Sequence, residues 1–449
     1  MEKDLAQHAD AVEAILKERL LDNYEIVVSS SRDLSVEARG GKVDAFKCAE
    51  PCGVAVRIQK GEGLGFSFST SLEPEALAGM VEGALVAAAM QTPDPNYGLP
   101  LPSPCQEIPG LYDETLGAVP EEEKVGRALE LERLALACDP RVKRVRKCSY
   151  SESTYRMLIR NSLGVSCGYL GSYVACSVSA VAEEGGDAQI GWDFDFSNRY
   201  ADLQLELVAG RACRKATSLL GARGLSSMRC PVVFDNRIAT DMLELLSGSF
   251  LGENVAKGKS LLAGKRGERV LSPLITVRDN GILPGGMGTA PCDGEGVPQQ
   301  DTVLVHDGVL EGYLFDTYWG RKMGERSTGN AVRGGIKGAP RLAPHNLYIE
   351  KGTASLEDLI AGVERGVLVT EVMGMHTANP ISGDFSVGAA GFYLEGGKVV
   401  HPVKGIAIAG NILELFSAVD LVADDLRFFG SGGSPSLRVA VLDVSGSEK

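Results

Sequence analysis

A chain of 449 residues with 45 Lys+Arg against 59 Asp+Glu carries a formal charge of −14 at pH 7. Its content, 44% hydrophobic and 23% charged, excludes wholesale disorder and leaves ample material for cores. The negative balance argues against a nucleic-acid binder, whose affinity would come from neutralising phosphates.

Taken in chain order, Leu5, Ala9, Val12, Leu16 and Leu20 recur at helical spacing and predict an amphipathic first helix. A targeting segment would need an unbroken apolar core there, so a cytoplasmic protein is expected. No apolar run of about 18 residues occurs, and no membrane span is expected. Glycine, at 55 residues, stands at about 12% against a usual level of about 7%, which points to a strand- and turn-rich fold. Tyr24–Val28, Leu34–Ala38, Val43–Cys48, Gly53–Gln59 and Leu64–Phe68 alternate as strands, the last two joined by a Gly-rich turn. Ser71 is a candidate cap for an Ala-rich helix over Glu75–Met90. Six prolines between Pro93 and Pro109 rule out regular structure and read as a semi-rigid connection.

A helix over Glu121–Cys138 opens a second unit, followed by short strands at Arg144–Tyr150, Tyr155–Arg160, Gly164–Tyr169, Ser172–Ala182 and Gln189–Phe194, and a helix over Leu203–Leu220. The basic run Arg141–Lys147 alternates with valine as an exposed strand face would. Asp193 and Asp195 share one strand face, where alternating acids usually meet solvent. From Cys230 onward, an apolar strand (Pro231–Phe234) and a helix bearing Ile238, Met242, Leu245 and Leu246 lead into Gly-punctuated strands. The expected fold is α+β: an N-terminal sandwich of helices on a mostly antiparallel sheet with its Pro-rich linker (1–112), a central α+β domain (113–227), and a C-terminal Gly-rich large curled sheet or β-barrel (228–449).

The chemistry is conspicuous by what is missing. His8, His306, His345, His376 and His401 offer no pair on one helix face, so no zincin site is present. No G-x-S-x-G elbow and no dinucleotide fingerprint occur. Gly430–Pro435 lacks the lysine of a phosphate loop. The ten cysteines form no CxxC pair and are expected as reduced thiols, Cys292 an unpaired loop thiol among them. Two polar, Gly-bearing segments remain: Ser327–Gly335 and Asn379–Ser386. They make tight corners, or they line a peptide channel through Thr328, Gly329, Asn330, Arg333, Asn379, Ser382 and Asp384.

An ordered series of motifs across the whole chain resembles the TldD/PmbA family, in its PmbA (TldE) branch. It comprises Gly53-Val-Ala-Val-Arg57 with Gly65-Phe66, Asn161-Ser-Leu-Gly164, Gly294-Glu-Gly-Val-Pro298, Gly308–Tyr313, Thr328-Gly-Asn330, Asn379–Ser386, Pro402–Gly405, Gly410-Asn411 and Asp424-Asp-Leu426. The resemblance implies a heterodimeric cytoplasmic zinc metalloprotease acting on unfolded peptides and small proteins. In that family the TldD-type subunit holds zinc with an HExxxH helix and a later cysteine. Here the matching segment reads Leu243-Glu-Leu-Leu-Ser-Gly248, and no cysteine follows Cys292. Glu244 is the sole remnant, so no catalytic residue, metal or cofactor is expected in this chain, with zinc expected in a TldD-type partner. A homodimeric peptide-binding module without proteolytic role, and a self-sufficient hydrolase with an unseen site, are the alternatives.

Overall fold

A computed structural model describes residues 2–446. Its first half is organised by one seven-stranded sheet, order β4-β3-β1-β5-β6-β7 with β2 paired on β1. The strands are β1 (Tyr24–Arg39), β2 (Lys42–Ala49), β3 (Cys52–Lys60), β4 (Gly63–Ser69), β5 (Val142–Asn161), β6 (Ser166–Glu184) and β7 (Asp187–Ser197). The sheet runs without a break across residue 112, because β1 pairs antiparallel with β5 from Glu25↔Asn161 to Ala38↔Cys148. The expected pairs of short strands at 24–38 and at 144–160 are therefore two long strands, 16 and 20 residues.

One face of the sheet carries helices. α1 (Glu2–Glu18) and α2 (Pro74–Met90) cover Ile26, Val28, Val56 and Ile58. α3 (Glu121–Ala137) and α4 (Leu205–Ser218) cover Val36, Tyr150, Val178 and their neighbours. The helices sit close because strand glycines admit them. A Cβ on Gly65 would fall 1.9 Å from the Ala84 carbonyl of α2, and one on Gly191 would fall 2.0 Å from that of Ala212 in α4. Leu20 departs from the predicted apolar face: α1 ends at Glu18, and Leu20 turns into the left-handed region (φ 55°) and is exposed. Ser71 is not the cap of α2; Glu73 holds that position without a side-chain bond. The basic run does lie on an exposed strand face, with Val142 and Val145 turned inward.

The opposite face of the sheet meets the C-terminal domain through Val27, Ala55, Ile159, Cys167 and Cys292. Burial on both faces explains the unbroken buried run Tyr24–Val28. In that domain β8 (Met228–Phe234) and the strands Arg365–Met373, Asp384–Glu395, Lys398–Asn411 and Leu437–Ser445 pair in turn, and Leu437–Ser445 returns to β8. Pairing of the fourth and fifth strands, Ala407↔Ser445, together with the return of the fifth to β8, closes a five-stranded barrel. A second, curled sheet of six strands includes Val277–Asn280, Leu347–Ile349 and Gly432–Ser434. α5 (Asn236–Ser247) contributes Ile238, Met242, Leu243 and Leu246 to the core shared by the barrel and the curled sheet. No helix among the described residues is long and apolar enough to cross a membrane.

Asp235 caps α5, accepting the Ile238 N–H at 2.9 Å. Burial raises its carboxyl to about 7. A folded-state pKa above the unfolded value of 3.8 means that the native chain binds the extra proton, so stability falls as pH rises from about 4 to about 7 and levels off above. Asn caps equally well without titrating. Asp235→Asn is therefore expected to raise stability at pH 8 by about 1–2 kcal/mol and to flatten the slope, read from urea midpoints between pH 5 and pH 8.

Candidate functional site

Two regions collect the chain's polar side chains. The first is the outer side of α5. Leu243 is 1% exposed and packs inward, while Glu244 faces out beside the glycine-rich strand, where a Cβ on Gly432 would lie 3.1 Å from its Oε1. Partial burial and the neighbouring Asp241 raise the Glu244 carboxyl. Arg237 pairs with Asp241 at 3.1 Å and lies over Phe429 (5.2 Å) and Trp192 (5.9 Å). Trp192 and Phe194 of edge strand β7 stack at 5.0 Å, so this side of α5 is bordered by aromatic rings from the sheet. Asp193 does not meet solvent as its alternation predicted. It is 0% exposed, and Arg427 of the C-terminal domain grips both its oxygens at 3.0 Å, with Lys215 at 3.1 Å. These two cations, with Arg211 at 3.9 Å, replace the water that a strand-face acid would otherwise use.

A zinc ion of the HExxxH kind does not fit here. Leu243 offers only hydrocarbon and Gly248, just beyond α5, offers no side chain, so Glu244 stands without a ligand pair. Among the described residues the one group of three or more metal-competent side chains is Cys105, Cys167 and Cys292, in another part of the molecule.

The second region is the seam between the sheet and the C-terminal domain. Arg57 on β3, 5% exposed, donates to Glu25 of β1 through Nε (3.0 Å) and Nη2, and to Glu295 through Nη1 (2.7 Å). Arg333 donates to Glu25 as well and to the Gly294 carbonyl at 2.5 Å. Asp293 accepts the backbone N–H groups of Glu295, Val297 and Ala331 at 2.9, 2.9 and 3.0 Å. Burial and the adjacent Glu295 carboxylate push Asp293 up to about 8, whereas Arg57 holds Glu295 down. A cavity of about 320 Å³ opens beside this network, lined among others by Tyr155, Tyr169, Cys292, Asp293, Arg333 and His345.

Of the channel candidates, Thr328, Gly329 and Asn330 are tied into a buried knot. Asn330 Nδ2 donates to Asp279 at 2.6 Å, Thr328 Oγ1 donates to Asn330 Oδ1 at 2.6 Å, and His345 Nε2 meets the Gly329 carbonyl at 2.6 Å. Gln299 donates to His345 Nδ1 at 3.2 Å, so Nε2 carries the ring proton, and burial lowers the histidine pKa, keeping it neutral. Arg333 reaches the cavity wall with its charge already met by Glu25. Asn379 and Ser382 lie exposed on a separate loop and Asp384 opens the strand that follows it, held by Asn411, which donates to the Ser382 carbonyl at 2.9 Å and to Asp384 at 3.0 Å. Cys292 is not the unpaired thiol expected: it forms a disulfide with Cys167. Glu25, Arg57 and Glu295 escape a reading by spacing because up to 238 residues separate the partners. Their signal was a charge set inside an otherwise apolar strand, as in Val54-Ala-Val-Arg57-Ile58.

The same three-part layout recurs in known proteins. Residues 24–88, 114–220 and 227–446 match, in order, domain 1, the central domain and the C-terminal domain described for the PmbA/TldA metallopeptidases. The chain is 31% identical over 408 residues to the metalloprotease PmbA of Escherichia coli O157:H7, covering 90% of this chain and 88% of that one. It is 28% identical over 426 residues to a PmbA homologue of Haemophilus influenzae, covering 94% and 92%. The crystal structure of TldE from Thermococcus kodakarensis superposes with a TM-score of 0.89 at 27% identity, over 97% of this chain and all of that one. With every domain matched in sequence and the architecture matched in space, this chain belongs to the PmbA/TldD metallopeptidase family.

Proposed function

We propose that this chain is the non-catalytic, PmbA/TldE-type subunit of a cytoplasmic two-subunit zinc protease that degrades or processes unfolded peptides and small proteins. The reading rests on one observation: α5 is intact and packed in the core, yet Leu243 within it and Gly248 just beyond its end stand where the resemblance puts the two histidines of a TldD-type subunit. Zinc belongs to a TldD-type partner in this reading, and this chain shapes access to it. Edge strand β7 is paired on one side only beside the aromatic border of α5, where Lys215 and Arg427 hold the Trp192 and Phe194 carbonyls, so an extended peptide added as a further strand would take the place of these two side chains. Such recognition reads backbone more than side chains and accommodates varied unfolded segments.

The test is zinc content and cleavage of an unfolded protein substrate, measured for the purified chain alone and mixed with an HExxxH-bearing relative. The chain alone is expected to be inactive and to hold no stoichiometric zinc, and the mixture to be active. Glu244→Gln in the reconstituted pair should leave turnover within about twofold, since a carboxylate without ligands beside it has no bound water to act on. Stoichiometric zinc in the lone chain together with chelator-sensitive cleavage would overturn the reading in favour of a self-sufficient hydrolase.

A further inference from the structure

Three cysteines from three distant segments converge behind the cavity. Cys105 lies on the Pro-rich connection, Cys167 on β6, and Cys292 on the C-terminal loop that carries Asp293 and Glu295. Their sulfur atoms all lie within 4.8 Å of one another. The Cys167–Cys292 bond joins positions 125 apart in sequence and ties the sheet to the C-terminal domain. Those two residues are 6% and 1% exposed and sit among Val27, Ala55 and Ile159, so an external reagent has poor access to them. Cys105 is half-buried at the margin of the same cluster, on a segment without helix or strand, and its thiol remains free.

We propose that Cys105 is a thiol–disulfide exchange site through which a low-molecular-weight disulfide oxidises the buried Cys167–Cys292 pair. In the reduced chain, the Cys105 thiolate attacks one sulfur of the small disulfide, forming a mixed disulfide and releasing one small thiolate. One buried thiolate then attacks Cys105 Sγ and expels the second small thiolate. The remaining buried thiolate attacks its neighbour's sulfur and releases Cys105 as a thiolate. One small disulfide is thereby reduced to two thiols, which take up the two protein protons. Two protein thiols become the Cys167–Cys292 bond, and Cys105 is regenerated. Burial and the neighbouring Asp293 raise the Cys105 thiol, so the thiolate that starts the exchange is a minority form and the first step quickens as pH rises. A disulfide is neutral and suits the apolar walls. Its formation fastens the C-terminal loop at the cavity wall, making this junction sensitive to thiol status independently of any role for α5.

The experiment uses the full chain, reduced, desalted and exposed to oxidised glutathione, with acid quench, alkylation and peptide mapping over time. The wild-type chain should yield the Cys167–Cys292 linked peptide. Cys105→Ser should form it about tenfold more slowly, and Cys292→Ser should stop with Cys105 disulfide-bonded to glutathione or to Cys167. Cys48→Ser, which alters an exposed thiol elsewhere, should match wild type. If Cys292→Ser fails to fold by circular dichroism, the rate comparison for the half-exposed Cys105→Ser decides alone. Equal rates for Cys105→Ser and wild type, or no Cys167–Cys292 peptide at equilibrium, overturn the proposal. So does a 1:1 Zn²⁺ complex of the reduced chain that protects all three thiols from alkylation.

Discussion

Replacing Arg57 by leucine is expected to lower the stability of the chain by about 3–5 kcal/mol, the range for breaking a buried ion pair from one side. The guanidinium holds Glu25 and Glu295 together from a position 5% exposed, and no solvent is at hand to take over either carboxylate. Arg333 would remain on Glu25, so Glu295 is the acid left with least compensation; only the Thr317 N–H, at 3.1 Å, still serves it. Arg57→Lys is expected to lose most of the same free energy, because one ammonium cannot span two carboxylates with the planar fork that arginine offers. Because Glu25 and Arg57 lie on the sheet and Glu295 in the C-terminal domain, the damage should appear as early separation of the two halves. Urea titration followed by both far-ultraviolet circular dichroism and limited proteolysis would detect it. A loss below about 1 kcal/mol for Arg57→Leu would mean that water reaches the seam and that the network is ornamental.

The same seam shows where the sequence was readable and where it was not. Helices announced themselves: Glu121–Cys138 was expected and Glu121–Ala137 is found, because apolar spacing and a closing Asp139-Pro140 fix the ends locally. Alternation breaks the long strands into fragments for a physical reason. Along β1, Ile26 and Val28 face the core under α1 and α2, and Leu34, Val36 and Ala38 face the core under α3 and α4. Ser30 and Arg32 occupy the same side of the strand between these two helical layers. A polar interval that looks like a turn is thus the gap between two coverings of one continuous strand. The barrel, foreshadowed by glycine punctuation, is closed by a pairing between residues about forty apart, Ala407↔Ser445, which no local pattern encodes. Leu243 and Gly248 stand out in the sequence because the segment that bears them spans six residues. The Asp193–Arg427 pair and the Cys167–Cys292 bond could not, since each partner alone resembles a routine strand-face acid or loop thiol.

Asn330→Leu should likewise destabilise the chain, by about 3 kcal/mol, while leaving the peptide affinity of the surviving folded molecules unchanged. Asn330 is 1% exposed, and both its amide hydrogens are committed, one to Asp279 at 2.6 Å and one to the Ala343 carbonyl at 3.1 Å. Its oxygen takes the Thr328 hydroxyl, so no part of the amide is left to greet a ligand. Leucine would leave Asp279, itself 1% exposed, with the His345 N–H as its remaining short donor, at 2.8 Å, and would leave Ala343 O and Thr328 Oγ1 without this partner. Burial already raises the Asp279 pKa. Losing a donor to the charged form raises it further, so the variant's deficit should shrink as pH falls and the carboxyl takes up a proton. A channel residue would behave in the opposite way: stability would hold, and affinity for an unfolded peptide would drop at every pH. Measuring the urea midpoint and peptide binding by fluorescence anisotropy on the same variant, at pH 5.5 and pH 8, separates the two roles. An unchanged midpoint with weakened binding would return Thr328-Gly-Asn330 to the list of ligand-facing loops. A shifted, pH-dependent midpoint with intact binding would leave the exposed Asn379–Asp384 loop and the β7 edge as the surfaces where peptide recognition has room to occur.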